Sequence, residues 1–342
     1  MKIVQIVSLL CLMALTALTA HAQTISKTTK VAPGIYEIIH NQTTDEIYIA
    51  SAGSRSNPVS YIYVLDAETL AKKDSIDVQP HRVFGLGFNQ KTQTLYTSNT
   101  VSNSVYAIDV SKKEVVATIT PDKEESHTRE IVVDEENNLV YVTDVGSPGS
   151  VWVIDGSSNT LDRIIENTGE TTTGIAFNKE KNLLYLTNMG SNEIAVLDIN
   201  TDKVVQNYSS HSERPTNVEF DPETDRLFVA NQGTNDVTVL NATTGELIKT
   251  IETGEGALGI RFDPKQKRIY VANRGAGTVT VIDSESYGVL ANLETGTHPN
   301  TVAINPDSGA AFVTNKAKSG QRGSSTPPPP DPNGDTVTKI TP

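Results

Sequence analysis

Apolar and polar residues alternate with a period near two along most of this chain, and no stretch of ordinary helix length carries a 3.6-residue period. The segment from Arg268 to Leu290 shows the pattern most plainly. Two β-branched and aromatic runs, IYVAN and VTVID, are joined by the Gly-rich turn Arg274-Gly275-Ala276-Gly277, and SES opens a second turn. This reads as an antiparallel strand pair, and versions of it recur from one end of the chain to the other.

An aromatic in the first run of each pair serves as an anchor: Tyr48, Tyr96, Tyr141, Tyr185, Phe228, Tyr270 and Phe312, at successive steps of 48, 45, 44, 43, 42 and 42 residues. A fixed period in the forties without helical periodicity is what a four-stranded propeller blade requires. A two-sheet sandwich does not account for it. Eight residues before each anchor a short inner strand ends, at His40, Phe88, Val133, Phe177, Phe220, Phe262 and Ile304. The turns between are rich in Asn, Asp, Pro and Gly. A third apolar strand and a more polar, outermost fourth strand complete each unit.

The seventh unit is interrupted. After AFVTN the chain enters a Gly/Ser/Pro-rich segment, Lys316 to Asp335, which is expected to be flexible, and it returns as TVTKI, Thr336 to Ile340. The run TISKTTKV, Thr24 to Val31, is left over at the other end. Pairing it with TVTKI closes the ring and hides two strand edges at once. The sequence therefore predicts an all-β fold, a seven-bladed propeller of four-stranded antiparallel blades over residues 23–342, closed by the N-terminal strand.

Residues 1–22 differ in kind. Lys2 precedes an almost wholly apolar run, and Ala20-His21-Ala22 has the small-x-small pattern of a cleavage site, so the segment reads as a secretory signal peptide and the protein as periplasmic or secreted. The only cysteine, Cys11, lies within it, so the mature chain is expected to hold together without disulfides. The formal net charge is −13, and loss of Lys2 with the leader makes it one unit more acidic. That balance argues against indiscriminate nucleic-acid binding while leaving room for a local cationic site.

The strands VYVTD, LYLTN, LFVAN and IYVAN, each followed by a strand ending in ID, LD or LN, resemble the YVTN-repeat β-propellers across the whole mature chain. Several stretches outside the bare repeat are similar to the YncE branch of secreted YVTN propellers: Ser98 to Asp109, Arg129 to Val142, Ser150 to Gly156, Glu166 to Asn178 and Thr297 to Ile304. The resemblance implies a periplasmic seven-bladed propeller, with single-stranded DNA binding as the associated activity.

In such a ring the loops that lead into each inner strand open on one face, where ligand sites concentrate. Counting back six and four residues from the inner-strand ends places Arg82, His127, Arg214 and His298, then Tyr36, Phe84, Arg129 and Asn300, at that mouth. His81 and His211 fall in the same loops. The expectation is a cationic cluster that focuses an anion such as a phosphate or carboxylate. Arg82, Arg129 and Arg214 would contact phosphate, His127, His298 and Asn300 would add polar contacts, and Phe84 would stack on a base. Tyr36 and Trp152 are further stacking candidates, although Trp152 stands mid-strand, where core packing is the ordinary role. Lys316, Lys318 and Arg322 would add a mobile cationic arm. Against this, Glu130, Glu170, Glu213 and Glu255 share the loops and are able to neutralise the arginines.

Catalytic signals are sparse. There is no GxSxG elbow, phosphate-binding loop or HExxH pair, and the histidines lack metal-ligand spacing, so no catalytic set, metal or cofactor is assigned. The reading is an exported, non-enzymatic propeller that binds an anionic partner. The alternatives are a lactonase-like hydrolase, with Glu37, Glu130 and His127 as its polar groups, and a scaffold for an envelope protein.

Overall fold

The computed structural model describes residues 23–54, 57–122, 126–318 and 329–342, and among them are seven four-stranded antiparallel sheets and no helix. Residues 1–22, with Cys11 and the expected signal peptide, and Arg322 lie outside the described residues. The innermost strands are Ile35–Asn41, Gly85–Asn89, Thr128–Asp134, Thr172–Asn178, Pro215–Asp221, Ala257–Asp263 and Pro299–Ile304. Each packs against the innermost strand of the next blade, and the last packs against the first. The ring closes as expected. Thr24–Lys30 lies antiparallel to Thr336–Thr341, with Thr24 opposite Thr341 and Lys30 opposite Thr336.

The two aromatic registers of the repeat meet across the seams between blades. Tyr48 stacks on Phe88 of the next blade at 5.9 Å between centroids, Tyr141 meets Phe177 at 5.7 Å, Tyr185 meets Phe220 at 5.3 Å and Phe228 meets Phe262 at 5.2 Å. Large apolar side chains thus fill the wedge between twisted sheets, where their burial contributes most. At the closing seam His40 takes the aromatic place, stacked 6.2 Å from Phe312, with Nε2 2.9 Å from Asp45 Oδ1.

The polar letters of the repeat are structural too. Thr143 Oγ1 donates to the Thr173 carbonyl of the next blade (2.8 Å), Thr187 Oγ1 to Thr216 (3.2 Å), and Thr314 Oγ1 to Tyr36 across the closure (2.7 Å). The Asn that follows ties the second strand to the third. Asn231 Nδ2 reaches Asp236 and Thr238, and Asn273 Nδ2 reaches Thr278 and Thr280. In six of the seven first turns an Asn or Asp caps the backbone N–H two residues on, from Asn41 to Asn305, and in the fourth blade Asn178 caps Lys181, three residues on. The last turn residue is left-handed in every blade, at φ +51° to +55° in Asp45, Gln93, Asn138, Asn182, Asp225 and Lys267, and +71° in Gly309.

Trp152 is wholly buried and donates Nε1–H to Asp144 Oδ2 at 3.2 Å, so it belongs to the core and offers no stacking face. The segment from Lys316 to Asp335 is held at both ends. Ala317 N–H donates to Asp335 Oδ1 (3.3 Å), Lys318 N–H to Asp331 Oδ2 (3.1 Å) and Thr297 Oγ1 to Asp331 Oδ1 (2.9 Å). Its interior, residues 319–328, lies outside the described residues.

Candidate functional site

Two register positions build the channel mouth, and one backbone hydrogen bond joins them. The residue after the second strand donates its N–H to the carbonyl six residues before the inner-strand end: Ala52 to Gly34, Val145 to His127, Met189 to Thr171, Gln232 to Arg214, Arg274 to Gly256 and Lys316 to His298, all at 2.9–3.1 Å. The backbone at both positions is therefore held at the same opening. Only blades 6 and 7 carry a cation at the first position, Arg274 and Lys316.

Tyr36 is the hub of the site. Lys316 Nζ sits 3.5 Å from its ring centroid, and the Phe84 ring meets it edge-on at 5.3 Å and 86°. Arg82 lies over Phe84 at 5.6 Å and donates Nε–H to the Ala52 carbonyl at 2.7 Å. Arg274 Nη1 donates to Asn300 Oδ1 at 2.5 Å, and Asn300 Nδ2 donates back to the Tyr36 carbonyl at 3.4 Å. Burial pushes the Lys316 amine down to about 7, helped by Arg274, Arg129 and Arg82 and opposed by Asp335. Burial and the neighbouring Arg129 lower the pKa of Arg274 as well. Positive charge therefore outruns negative charge at this point of an acidic protein.

A second layer lies deeper. Glu37, Glu130, Glu219 and Arg261 line a cavity of about 60 Å³ on the channel axis, with Asn217 and Thr301. Arg261 Nη1 is 3.0 Å from Glu219 Oε1, and Arg129 Nε is 3.8 Å from Glu130 Oε1. Glu37 is 4 % exposed. Burial, seconded by Glu130, holds its carboxyl well above the usual carboxylate range against the pull of Arg261 and Arg129. Among the described residues no group of three His, Cys, Asp or Glu side chains could hold a metal ion.

The structure thus gathers Arg82, Arg129, Phe84, Tyr36 and Asn300. His298 borders a neighbouring cavity of about 440 Å³ with Arg274 and Glu255, and burial and Arg274 lower its pKa. His127 stands near Arg129, with its backbone N–H on Asp144 Oδ1 at 2.6 Å. Three expected members make other contacts. Arg214 is exposed and turns to Met189 Sδ at 3.8 Å, a contact within the same ring of loop positions. His81 stacks on Tyr106 at 5.0 Å, and His211 contacts the Gly245 carbonyl in the outer half of blade 5. Lys316 is part of the mouth itself, while Lys318 is exposed. Counting from the inner strand alone missed Arg274, Glu219 and Arg261. Two signals mark them: a cation directly after the second-strand Asn, and opposite charges at matching inner-strand positions of adjacent repeats, VEF and IRF.

Residues 157–257 match the family model described as lactonase, 7-bladed beta-propeller. Over 185 residues, 51% of the chain, the protein is 33% identical to uncharacterized protein YncE of Escherichia coli K12 and 32% identical to that of Salmonella typhi. The chain is a seven-bladed β-propeller with YncE-like relatives. The match spans about half the length of those relatives, 51% of each. Among solved structures, hydrazine synthase of Kuenenia stuttgartiensis superposes with a TM-score of 0.71 over 84% of this propeller and 94% of that chain, at 20% identity, which is a likeness of fold alone.

Proposed function

We propose that this propeller binds an anionic partner at the channel mouth, with single-stranded DNA as the partner that the resemblance to the YncE branch implies. The observation that carries the reading is the convergence of Arg82, Arg129, Arg274 and Lys316 around Tyr36, where burial first and the neighbouring arginines second lower the pKa of the Lys316 amine. Charge crowding of this kind is relieved by an incoming anion. Phe84 and Tyr36 supply aromatic surface beside it, as strand binders use. The leader sequence, residues 1–22, supports action in the periplasm or outside the cell.

The test is fluorescence anisotropy of a labelled single-stranded oligonucleotide against the propeller at increasing salt. Affinity is expected to fall as salt rises, and to drop by about tenfold or more when Arg82, Arg129 and Arg274 are all changed to Ala. Binding that ignores salt, or survives the triple substitution, overturns the proposal.

The lactonase match favours a second reading in which the inner carboxylates activate water for ester hydrolysis. Size weighs against it: about 60 Å³ beside Glu37 and Glu130 admits a few waters but leaves no room for a ring substrate as well. Turnover on a panel of lactones, abolished by Glu130→Gln, would establish that reading in place of the first.

A further inference from the structure

The anion seat has a shape and a charge that narrow what enters it. Its cations come from four blades: Arg82 from blade 2, Arg129 from blade 3, Arg274 from blade 6 and Lys316 from blade 7. They act on one another around a single ring rather than along a groove. The edge-to-face pair of Tyr36 and Phe84 forms one wall, with Lys316 Nζ resting on the Tyr36 face. Arg129 Nε is buried without a hydrogen-bond partner. The carboxylate that attracts Lys316, Asp335, already accepts from Gly34 N–H (3.0 Å) and Ala317 N–H (3.3 Å) through Oδ1.

Resting on the anion-binding reading, we propose that this throat seats one compact dianionic group, a phosphate monoester such as the terminal phosphate of a strand, and that Lys316 takes up a proton as the group enters. An internal phosphodiester brings one negative charge, whereas a terminal monoester brings nearly two together with three acceptor oxygens. Several cations aimed at one point match the second better than the first. The proton comes from solvent: the neutral amine of Lys316 becomes an ammonium, no bond to the phosphate forms, and the charge on the anion offsets the burial and the crowding that disfavour the ammonium.

The groups that face Lys316 set the pH window. Arg274, Arg129 and Arg82 disfavour its ammonium form, Asp335 favours it, and Tyr36 covers one side. His298 faces it from the preceding loop, with Lys318 and Asp331 beyond. With the free amine near 7, the ligand meets a protonated lysine at pH 6 and must supply the driving force for protonation at pH 8. Affinity is therefore expected to fall above neutrality, approaching about tenfold per pH unit for one linked proton.

The experiment is isothermal titration calorimetry of the mature propeller with three probes: a 5′-phosphorylated oligonucleotide, the same strand ending in a hydroxyl, and inorganic phosphate. Each is run at pH 6 and pH 8 in two buffers of different ionisation enthalpy. The phosphorylated strand is expected to bind about tenfold or more tightly than its hydroxyl twin, and phosphate to compete with it. Net proton uptake approaches one per site at pH 8 and turns to net release near pH 6, where Lys316 is already protonated and the monoester, with a second pKa of about 6, gives up its own proton on seating as the dianion. Lys316→Met abolishes the uptake, and Lys316→Arg keeps binding without it; a thermal melt of each variant confirms folding. Equal affinity for both strands overturns the inference and leaves the anion-binding function standing. Tight binding of the phosphorylated strand without proton uptake overturns the role of Lys316. Phosphate binding with uptake, but no strand binding, keeps the dianion seat and ends the DNA reading. No binding of any probe overturns both.

Discussion

Glu37 is a carboxyl group that the fold holds at a cost. Burial, with Glu130 nearby, raises its folded pKa well above the unfolded value, so the native state binds more protons than the unfolded state between the two. Stability contributed at Glu37 is therefore present at low pH and is lost as pH rises through the folded pKa. Glu37→Gln keeps the shape and removes the titration. Melts of the two proteins should coincide near pH 4, and the variant should melt a few degrees higher at pH 8; a variant that is less stable at pH 8 would contradict the sign. Part of this chemistry was legible in the sequence. Arg82, Arg129, Phe84, Tyr36 and Asn300 were placed by counting back from the repeat. Arg214 shares the six-back register of Arg82 and His298, and spacing alone does not reveal that its side chain turns to Met189. Arg274 was hidden by the regularity around it, since RGAG reads as turn chemistry alone. Lys316 looked like part of a flexible arm, yet its N–H bond to His298 fixes it at the mouth.

At the scale of elements, the strand Thr24–Lys30 offers the sharpest test. Its side chains are nearly all exposed, so its hold on Thr336–Thr341 comes from the backbone ladder together with contacts such as Thr28 Oγ1 to Thr338 Oγ1 at 3.0 Å. A handful of net backbone bonds is worth about 3–6 kcal/mol. Deleting residues 23–30 is expected to lower Tm by about 10 °C and to expose the Thr336–Thr341 edge to self-association. Scanning calorimetry and size-exclusion chromatography read the two effects, and a peptide of sequence TISKTTKV should reverse both. An unchanged Tm would show that the closure contributes little. Closure was readable in the sequence because a missing strand and an unassigned one stand at opposite ends. The Thr clasps were not. Thr143, Thr187 and Thr314 bond across blade seams, and a repeat read one unit at a time shows only contacts within the unit.

The whole molecule carries a formal charge of −13, and that fixes how the cationic opening can behave towards a polyanion. A protein that tracks a strand along a basic groove neutralises many phosphates, and for single strands log K falls with log salt by about 0.7 per phosphate neutralised. Six such contacts give a slope of about −4. The propeller's cations are gathered at a point, so a strand that enters end-on engages about one to three phosphates, for a slope of about −1 to −2. The acidic remainder of the surface makes the slope shallower still. It repels the rest of the strand, and salt relieves that repulsion once the screening length falls to about 10 Å near 0.1 M. The two effects oppose each other as salt rises, so the curve should be shallow and should flatten further as the oligonucleotide lengthens beyond the seated end. Anisotropy titrations with strands of increasing length, each from 0.05 to 0.5 M salt, measure that slope directly. A slope that steepens with strand length would mean that the strand lies across the face of the ring, and the end-on seat at Lys316 would then have to be given up.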